Sequence, residues 1–300
     1  MNIKPVSLCV AGVVLLASQF AAAAQPAAPA RTVPQAVVEA VQMPAWVERG
    51  GAKIPLAPGM ELRSTDQVRT GASAKLLLKM GEGSLVKLGE AGTLKLDQLA
   101  QSKDKVFTAA LNVLQGAFRF TTTALQKQRR RDINITIATV TAGIRGTDVW
   151  GKAAADRDIV CLIEGKIEVR RGQDLPLLLD QPLSFYIAPK NAPPLPVGTV
   201  AAAQLRQWAA ETEIESGKGA ARRGGKWKVI AASADTQEAA LKLYDALRAA
   251  GYAAGIRPVM SGEKRAYEVR LAHLPSRDEA QALAGTLRGK FGVAEPRVSL

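Results

Sequence analysis

Residues 227–300 echo themselves at an offset of 40 residues, and so short an internal repeat confines this part of the chain to folds built from two similar halves. Trp227 matches Tyr267, Val229 matches Val269, Ala231 matches Leu271, Leu243 matches Leu283, Leu247 matches Leu287 and Arg248 matches Arg288. Each copy reads as a strand followed by a helix. Residues 226–231 and 265–271 alternate polar and apolar with period two, whereas Ala240, Leu243, Leu247 and Gly251, and then Ala280, Leu283, Leu287 and Phe291, follow at helical spacing. Both helices open on a capping signal, Asp235 three residues before Glu238 and Ser276 three before Glu279. Two further runs, 255–260 and 294–300, complete a βαββαβ unit with a ferredoxin-like arrangement.

A split βαβ unit packs its two helices on one face of an antiparallel sheet and leaves the other face open. Shared parity points Val229, Ala231, Val269 and Leu271 at the helices. Lys228, Ile230, Glu268 and Arg270 then occupy the open face, the candidate binding surface. This fold serves many functions, so the choice among them rests on the rest of the chain.

The first 24 residues have the three-part layout of a secretory signal: one cation at Lys4, an apolar run over 6–16, and the small residues Ala22-Ala23-Ala24 at the cleavage position. Ser7, Ser18 and Gln19 interrupt a run already shorter than the roughly 20 residues of a spanning helix. Cys9 precedes most of the apolar segment, unlike a lipid-attachment cysteine. No second segment approaches spanning length, so the mature chain is expected in the periplasm without a membrane span. Cys161 is then the one remaining cysteine, which rules out an intramolecular disulfide, and its apolar neighbours mark it as a buried strand residue. The net charge of +13 and pI near 9.9 would suit nucleic acid in a cytoplasmic protein, but export removes that partner and leaves anionic polymers of the envelope. Two basic clusters, Lys127 with Arg129, Arg130 and Arg131, and Lys218 with Arg222 and Arg223, read as solvated loop and linker.

Residues 25–44 form an Ala- and Pro-rich leader, with one or two helical turns expected over 35–41. Residues 45–190 change character to short strand-like runs separated by glycine: 74–80, 84–88, 92–96, 117–122, 133–140, 148–151, 159–163 and 166–170. That spacing indicates an all-β domain and leaves sandwich, barrel and solenoid-like stack open. Residues 191–225 read as a linker in three parts: a proline-rich stretch, a helix over 199–210 with Leu205 and Trp208 as its apolar face, and a flexible Gly/Lys/Arg segment at 216–225. The expected architecture is multidomain, an all-β domain followed by the small α+β module at 226–300.

The C-terminal module resembles the SPOR domain, a family of peptidoglycan-binding modules. The resemblance is carried by Trp227-Lys228-Val229-Ile230-Ala231-Ala232-Ser233, by the helix over 236–250 ending at Gly251-Tyr252, and by Tyr267-Glu268-Val269-Arg270-Leu271 followed by Pro275-Ser276-Arg277-Asp278-Glu279-Ala280. It implies binding of glycan strands stripped of their peptide stems on the open sheet face. The chain departs from the family where Ile230 replaces a common glutamine, Ala232 a common glycine and Ala234 a frequent aromatic. Trp227 and Tyr267 could stack on sugar rings, but their parity places them with the inward set. The middle region resembles the FecR domain, a β-rich periplasmic module associated with transmembrane signalling. Here the matching segments are Asp66-Gln67-Val68-Arg69-Thr70-Gly71, Gly83-Ser84-Leu85-Val86-Lys87-Leu88-Gly89, Leu114-Gln115-Gly116-Ala117-Phe118, Gly143-Ile144-Arg145-Gly146-Thr147-Asp148 and Glu164-Gly165-Lys166-Ile167-Glu168-Val169. In the fourth of these, Asp148 or Thr147 is expected to cap backbone amides while Arg145 pairs with a carboxylate. A signalling member would be expected to carry a cytoplasmic segment and a spanning helix ahead of this domain, where this chain has a cleavable signal.

Chemistry-bearing residues are sparse. His273 is the single histidine and reads as a loop residue after a strand. With one mature cysteine beside it, zinc ligation and the usual nucleophile–base pairs lack their components. No phosphate-cradling glycine loop is present, and Glu164 and Glu168 read as two acids on one face of a strand. The sequence therefore points to a non-enzymatic envelope protein without cofactor or metal. It would bind peptidoglycan glycan strands through Lys228, Ile230, Glu268 and Arg270, and present residues 45–190 to a protein partner. The alternative is a periplasmic signalling or scaffold protein whose C-terminal module does not bind glycan, which an exposed Ile230 would favour. Cleavage after Ala24 predicts a mature chain beginning at Gln25, which N-terminal sequencing of the exported protein checks.

Overall fold

Buried and half-exposed residues alternate along most of the middle of the chain, and the strands they form come in chain order as β1 (Ala36–Gln42), β2 (Ala45–Arg49), β3 (Ala52–Pro55), β4 (Glu61–Leu62), β5 (Gln67–Thr70), β6 (Lys75–Met80), β7 (Leu85–Leu88), β8 (Thr93–Gln101), β9 (Phe107–Thr121), β10 (Arg131–Ile137), β11 (Val140–Ile144), β12 (Asp148–Ala153), β13 (Arg157–Glu164), β14 (Ile167–Arg171), β15 (Leu177–Leu179), β16 (Ser184–Pro189) and β17 (Gly198–Thr199). Then follow α1 (Ala202–Thr212), β18 (Ala220–Arg222), β19 (Trp227–Ala234), α2 (Gln237–Ala249), β20 (Ala254–Ser261), β21 (Lys264–Leu274), α3 (Arg277–Leu287) and β22 (Arg297–Ser299). The structure is a computed structural model that describes Met1 and residues 35–102, 106–122, 131–144, 146–262 and 264–300. The expected signal segment, Lys127, Arg129, Arg130 and Arg145 lie outside the described residues, apart from Met1.

The β domain is two sheets that share one strand. The first runs β1–β6–β7–β9–β12–β13–β16–β17, with β4 and β18 pairing along the other side of β1; the second runs β3–β2–β5–β8–β9–β10–β11–β14–β15. Every pairing is antiparallel except β9 with β10. The early half of β9 pairs with β8 and β10, and its late half with β7 and β12. Gly116 stands at the changeover with φ +88, a backbone state that costs glycine little, and a Cβ there would lie 2.7 Å from the Gly92 Cα. Inner faces of both sheets, including Val38, Leu78 and Phe120 from one and Val47, Leu94 and Leu111 from the other, share one apolar core.

Residues 35–41 differ from the expected helical turns. They form β1, with Ala36, Val38, Ala40 and Val41 fully buried, because pairing to β6, β4 and β18 outweighs the weak helical preference of an alanine-rich run. The β fold thus begins inside the expected leader. Residues 133–140 divide into two strands, since Ala138 takes φ +46 and reverses the chain between β10 and β11. Glu164 and Glu168 do not share a strand: Gly165 turns the chain between β13 and β14.

The segment expected to be a flexible linker is ordered. In α1, Trp208 stacks on Trp150 with ring centroids 4.7 Å apart and planes 2° from parallel, while Phe185 meets Trp208 edge-on. Below this stack Cys161 is buried; burial, with Asp148 nearby, pushes its thiol up to about 12, which keeps it protonated and unreactive. Farther on, Ala220–Arg222 pairs with β1, and the buried Glu279 carboxylate of α3 accepts the amide N–H groups of Gly217, Gly219 and Ala220 at 2.8, 2.6 and 2.9 Å. Gly217 and Gly219, at φ +77 and +81, turn those amides toward one point. Composition predicts a coil here because neither the carboxylate nor β1 is close in sequence.

The C-terminal module has strand order β20–β21–β19–β22 with all neighbours antiparallel. Ser276 caps α3 as expected, its Oγ accepting from the Glu279 N–H at 3.2 Å, but the cap of α2 is Thr236 rather than Asp235. The module is docked on the β domain. The Ala45 N–H donates to the Gly251 carbonyl at 3.0 Å, and Lys53 Nζ donates to the Ala249 carbonyl at 2.8 Å while lying 4.1 Å from the Trp46 ring centre. Buried apolar residues of both parts join one cluster within the compact unit Val33–Leu300. Removing the clamp with Glu279→Ala should lower stability by about 3 kcal/mol, because three amides lose a charged acceptor; chemical denaturation of the full chain measures it.

Candidate functional site: the open face of the C-terminal sheet

Both helices of the module pack on the same side of its sheet. Val229, Val269 and Leu271 are fully buried there with Ala240, Leu247, Ala280, Leu283 and Leu287. Strand register defines the other side. One row across the four strands reads Gly255, Arg270, Ile230, Arg297, and the neighbouring row reads Arg257, Glu268, Ser233. Strand spacing places Arg270 and Arg297, on either side of Ile230, roughly 10 Å apart at the backbone.

The expected face residues are brought together, with one change in role. Arg270 and Glu268 are half-buried, and Lys228 reaches along the face to donate from Nζ to the Leu300 main-chain oxygen. Ile230 is only 7% exposed, so it forms the floor between two arginines and offers little contact area of its own. Arg257 and Arg297 are exposed members of the face that the sequence reading passed over. The alternation in residues 255–260 and 294–300 carried the signal, because Arg257 shares parity with Gly255, and Arg297 lies opposite Ile230. The face therefore carries four cations and one acid, Glu268, which lies 3.9 Å from Arg297 and opposite Arg257, with Lys228 at the far end.

Strict alternation does not run the length of these strands. A bulge between Ile230 and Ala232 makes Ala231 the extra residue, so Ala232 and Ala234 lie opposite Val269 and Tyr267 on the helix-facing side. Trp227 and Tyr267 pack against the core, consistent with their inward parity. A second irregularity, between Trp227 and Val229, places His273 inside β21 at φ +69 rather than in a loop beyond it.

The polar residues of the β domain are taken up in its framework. Asp66 accepts from Arg49 at 2.7 and 2.6 Å and from the Arg63 N–H at 2.8 Å; that hydrogen-bonded pairing raises the Arg49 pKa. Thr70 Oγ1 donates to the Gly89 carbonyl and accepts from the Gly92 N–H, tying β5 to the turn before β8. Among the described residues Asp148 caps no backbone amide; it accepts from Arg119 at 2.9 and 2.6 Å, and Arg119, its pKa raised by that bond, also reaches Glu213 after α1 at 3.2 Å. A cleft of about 1010 Å³ between the β domain, α1 and α3 has mixed walls, with Lys152 paired to Glu211 at 2.7 Å. Among the described residues no group of three His, Cys, Asp or Glu side chains could hold a metal, and no helix is long and apolar enough to cross a membrane. Ile230→Ala should cost about 2 kcal/mol in stability, the low end for a buried isoleucine, since Ile230 stands outside the main apolar cluster; a denaturant midpoint reads the loss.

No curated protein matches the chain. Two crystal structures of a candidate anti-sigma factor from Parabacteroides distasonis align over 66% and 74% of this chain and 96% and 89% of theirs, each at 12% identity and TM-score 0.39. A likeness this distant is no guide to function. The SPOR domain family matches residues 224–294, and the FecR protein family matches residues 66–168. The first match contains Lys228, Arg257, Glu268 and Arg270 of the sheet face and ends before Arg297, and the second contains the Arg119–Asp148 pair and the whole of the strand shared by the two sheets. The chain carries a FecR domain followed by a SPOR domain.

Proposed function

We propose that this chain is an exported, non-enzymatic protein of the bacterial cell envelope that binds peptidoglycan. Its ligand is glycan strands denuded of stem peptides, held on the open face of the SPOR domain, and its FecR domain engages a protein partner. One observation carries the reading: on a face that neither helix covers, Glu268 has Arg257 opposite it, Arg270 two residues along its own strand and Arg297 3.9 Å away, while Lys228 adds a fourth cation farther along β19. Glycan recognition needs hydrogen-bond donors, and this face sets two arginine forks on either side of the covered Ile230. Arginine also suits the carboxylates of the wall, since its planar fork matches their geometry.

Attraction from a chain of net charge +13 adds a longer-range contribution that salt screens beyond ~8–10 Å. Export rests on the N-terminal segment and would place the protein in the periplasm. For the protein partner, the supporting feature is β15, which among the described residues pairs only with β14, with Leu177 and Leu178 40% and 58% exposed and Leu175 just ahead of it 90% exposed. An edge strand with exposed leucines offers both backbone groups and apolar area to an extended segment of another protein.

The test is co-sedimentation of the full mature chain with purified sacculi, before and after an amidase removes their peptide stems. Pelleting should rise after stripping, and the pair Lys228→Glu with Arg270→Glu should weaken it by more than about tenfold, because like charges then face the carboxylates. Absence of pelleting at moderate salt would sink the wall-binding reading and leave the FecR domain's partner as the protein's main contact.

A further inference from the structure

One end of the SPOR sheet face meets the FecR domain instead of solvent. The corner between β1 and β2 and the loop between β3 and β4 approach β20 and β21 there, and the Ala253 N–H points at the Met43 sulfur, 3.4 Å away. Between the two domains lies a cleft of about 210 Å³, walled on one side by Met43, Ala57 and Pro58 and on the other by Gly255, Arg270 and His273. It is smaller than the ~300–1,000 Å³ typical of drug-sized pockets, so it suits one sugar unit or a substituent of one.

Gly255 and Arg270 belong to two surfaces at once. They line the cleft, and they are also the last two members of the row Arg297, Ile230, Arg270, Gly255 on the open face. A strand laid along that row leaves the sheet over Gly255, where no side chain blocks it, and passes directly into the cleft. The Arg270 guanidinium and the His273 imidazole supply donors at its mouth, while Met43, Ala57 and Pro58 supply an apolar wall for a ring face or methyl group. Cutting the stem peptide from peptidoglycan exposes a carboxylate on each muramic acid, so a denuded strand presents repeated anionic groups to this line of cations.

We infer that the cleft is a subsite for the same anionic amino-sugar strand, and that the FecR domain therefore forms part of the glycan site. This rests on the glycan reading above. Ala57, half-buried on the FecR side of the cleft and part of none of the strands that carry the four cations, allows a test by charge sign. The full mature chain is titrated with soluble glycan strands released from amidase-treated sacculi, as wild type, Ala57→Glu and Ala57→Lys, with thermal unfolding run on each. Ala57→Glu should weaken binding by about tenfold and Ala57→Lys should leave it within about twofold of wild type, a gap that narrows as salt rises. Equal binding by all three chains, with Arg270→Glu still abolishing it, would overturn the composite subsite and leave the SPOR face as the whole site. Equal loss in both Ala57 variants at unchanged unfolding temperature would also overturn it, since the cleft would then be sensitive to bulk and not to charge. Failure of the wild type to bind any strand would remove the glycan reading itself.

Discussion

A single carboxylate fixes how the two domains of this protein relate. Glu279 sits in the first turn of α3, where a negative charge is already favoured by the helix dipole, and it draws in three main-chain amides from the segment that leaves the FecR domain. Once those amides are held, Ala220–Arg222, which begins at the last of them, falls into register beside β1, and the SPOR domain is brought against the corner at Met43 and Pro44. Lys53 and Trp46 then close the other side of the contact. Without the clamp the same ten residues, four of them glycine and three basic, have the composition of a free tether.

The strand order of the SPOR domain and most strands of the FecR domain were legible because they depend on local alternation, which a chain displays whether or not it is folded. The repeat at Trp227 and Tyr267 fixed two strands and two helices. What escaped was set by partners far away in sequence. Residues 36–42 form a core strand because β6 lies alongside, not because of their own composition. Bulges were equally hidden: nothing near Ala231 marks it as the extra residue that shifts Ala232 and Ala234 to the helix side.

The binding face illustrates the same division. Parity identified Lys228, Glu268 and Arg270, but Arg257 and Arg297 join them only through pairing of edge strands to the centre of the sheet. Ile230, which in sequence looks like the loss of a polar contact, is a covered spacer that holds two guanidinium groups apart. In the FecR domain the reverse holds, and the densest polar residues, Asp66, Thr70 and Asp148, are spent on internal pairing.

Sharing β9 between both sheets of the FecR domain has a consequence for how this protein can transmit load. A pull applied at the SPOR domain enters through β1 and β18 in one sheet and through β2 and β3 in the other, and both routes converge on that 15-residue strand. Neither sheet can shear past its partner without breaking hydrogen bonds along one half of β9. The exposed edge at β15, several strands away, is therefore carried as a fixed lever arm when load enters at the SPOR domain, so that strain reaches that edge as displacement and is not lost in a slack joint.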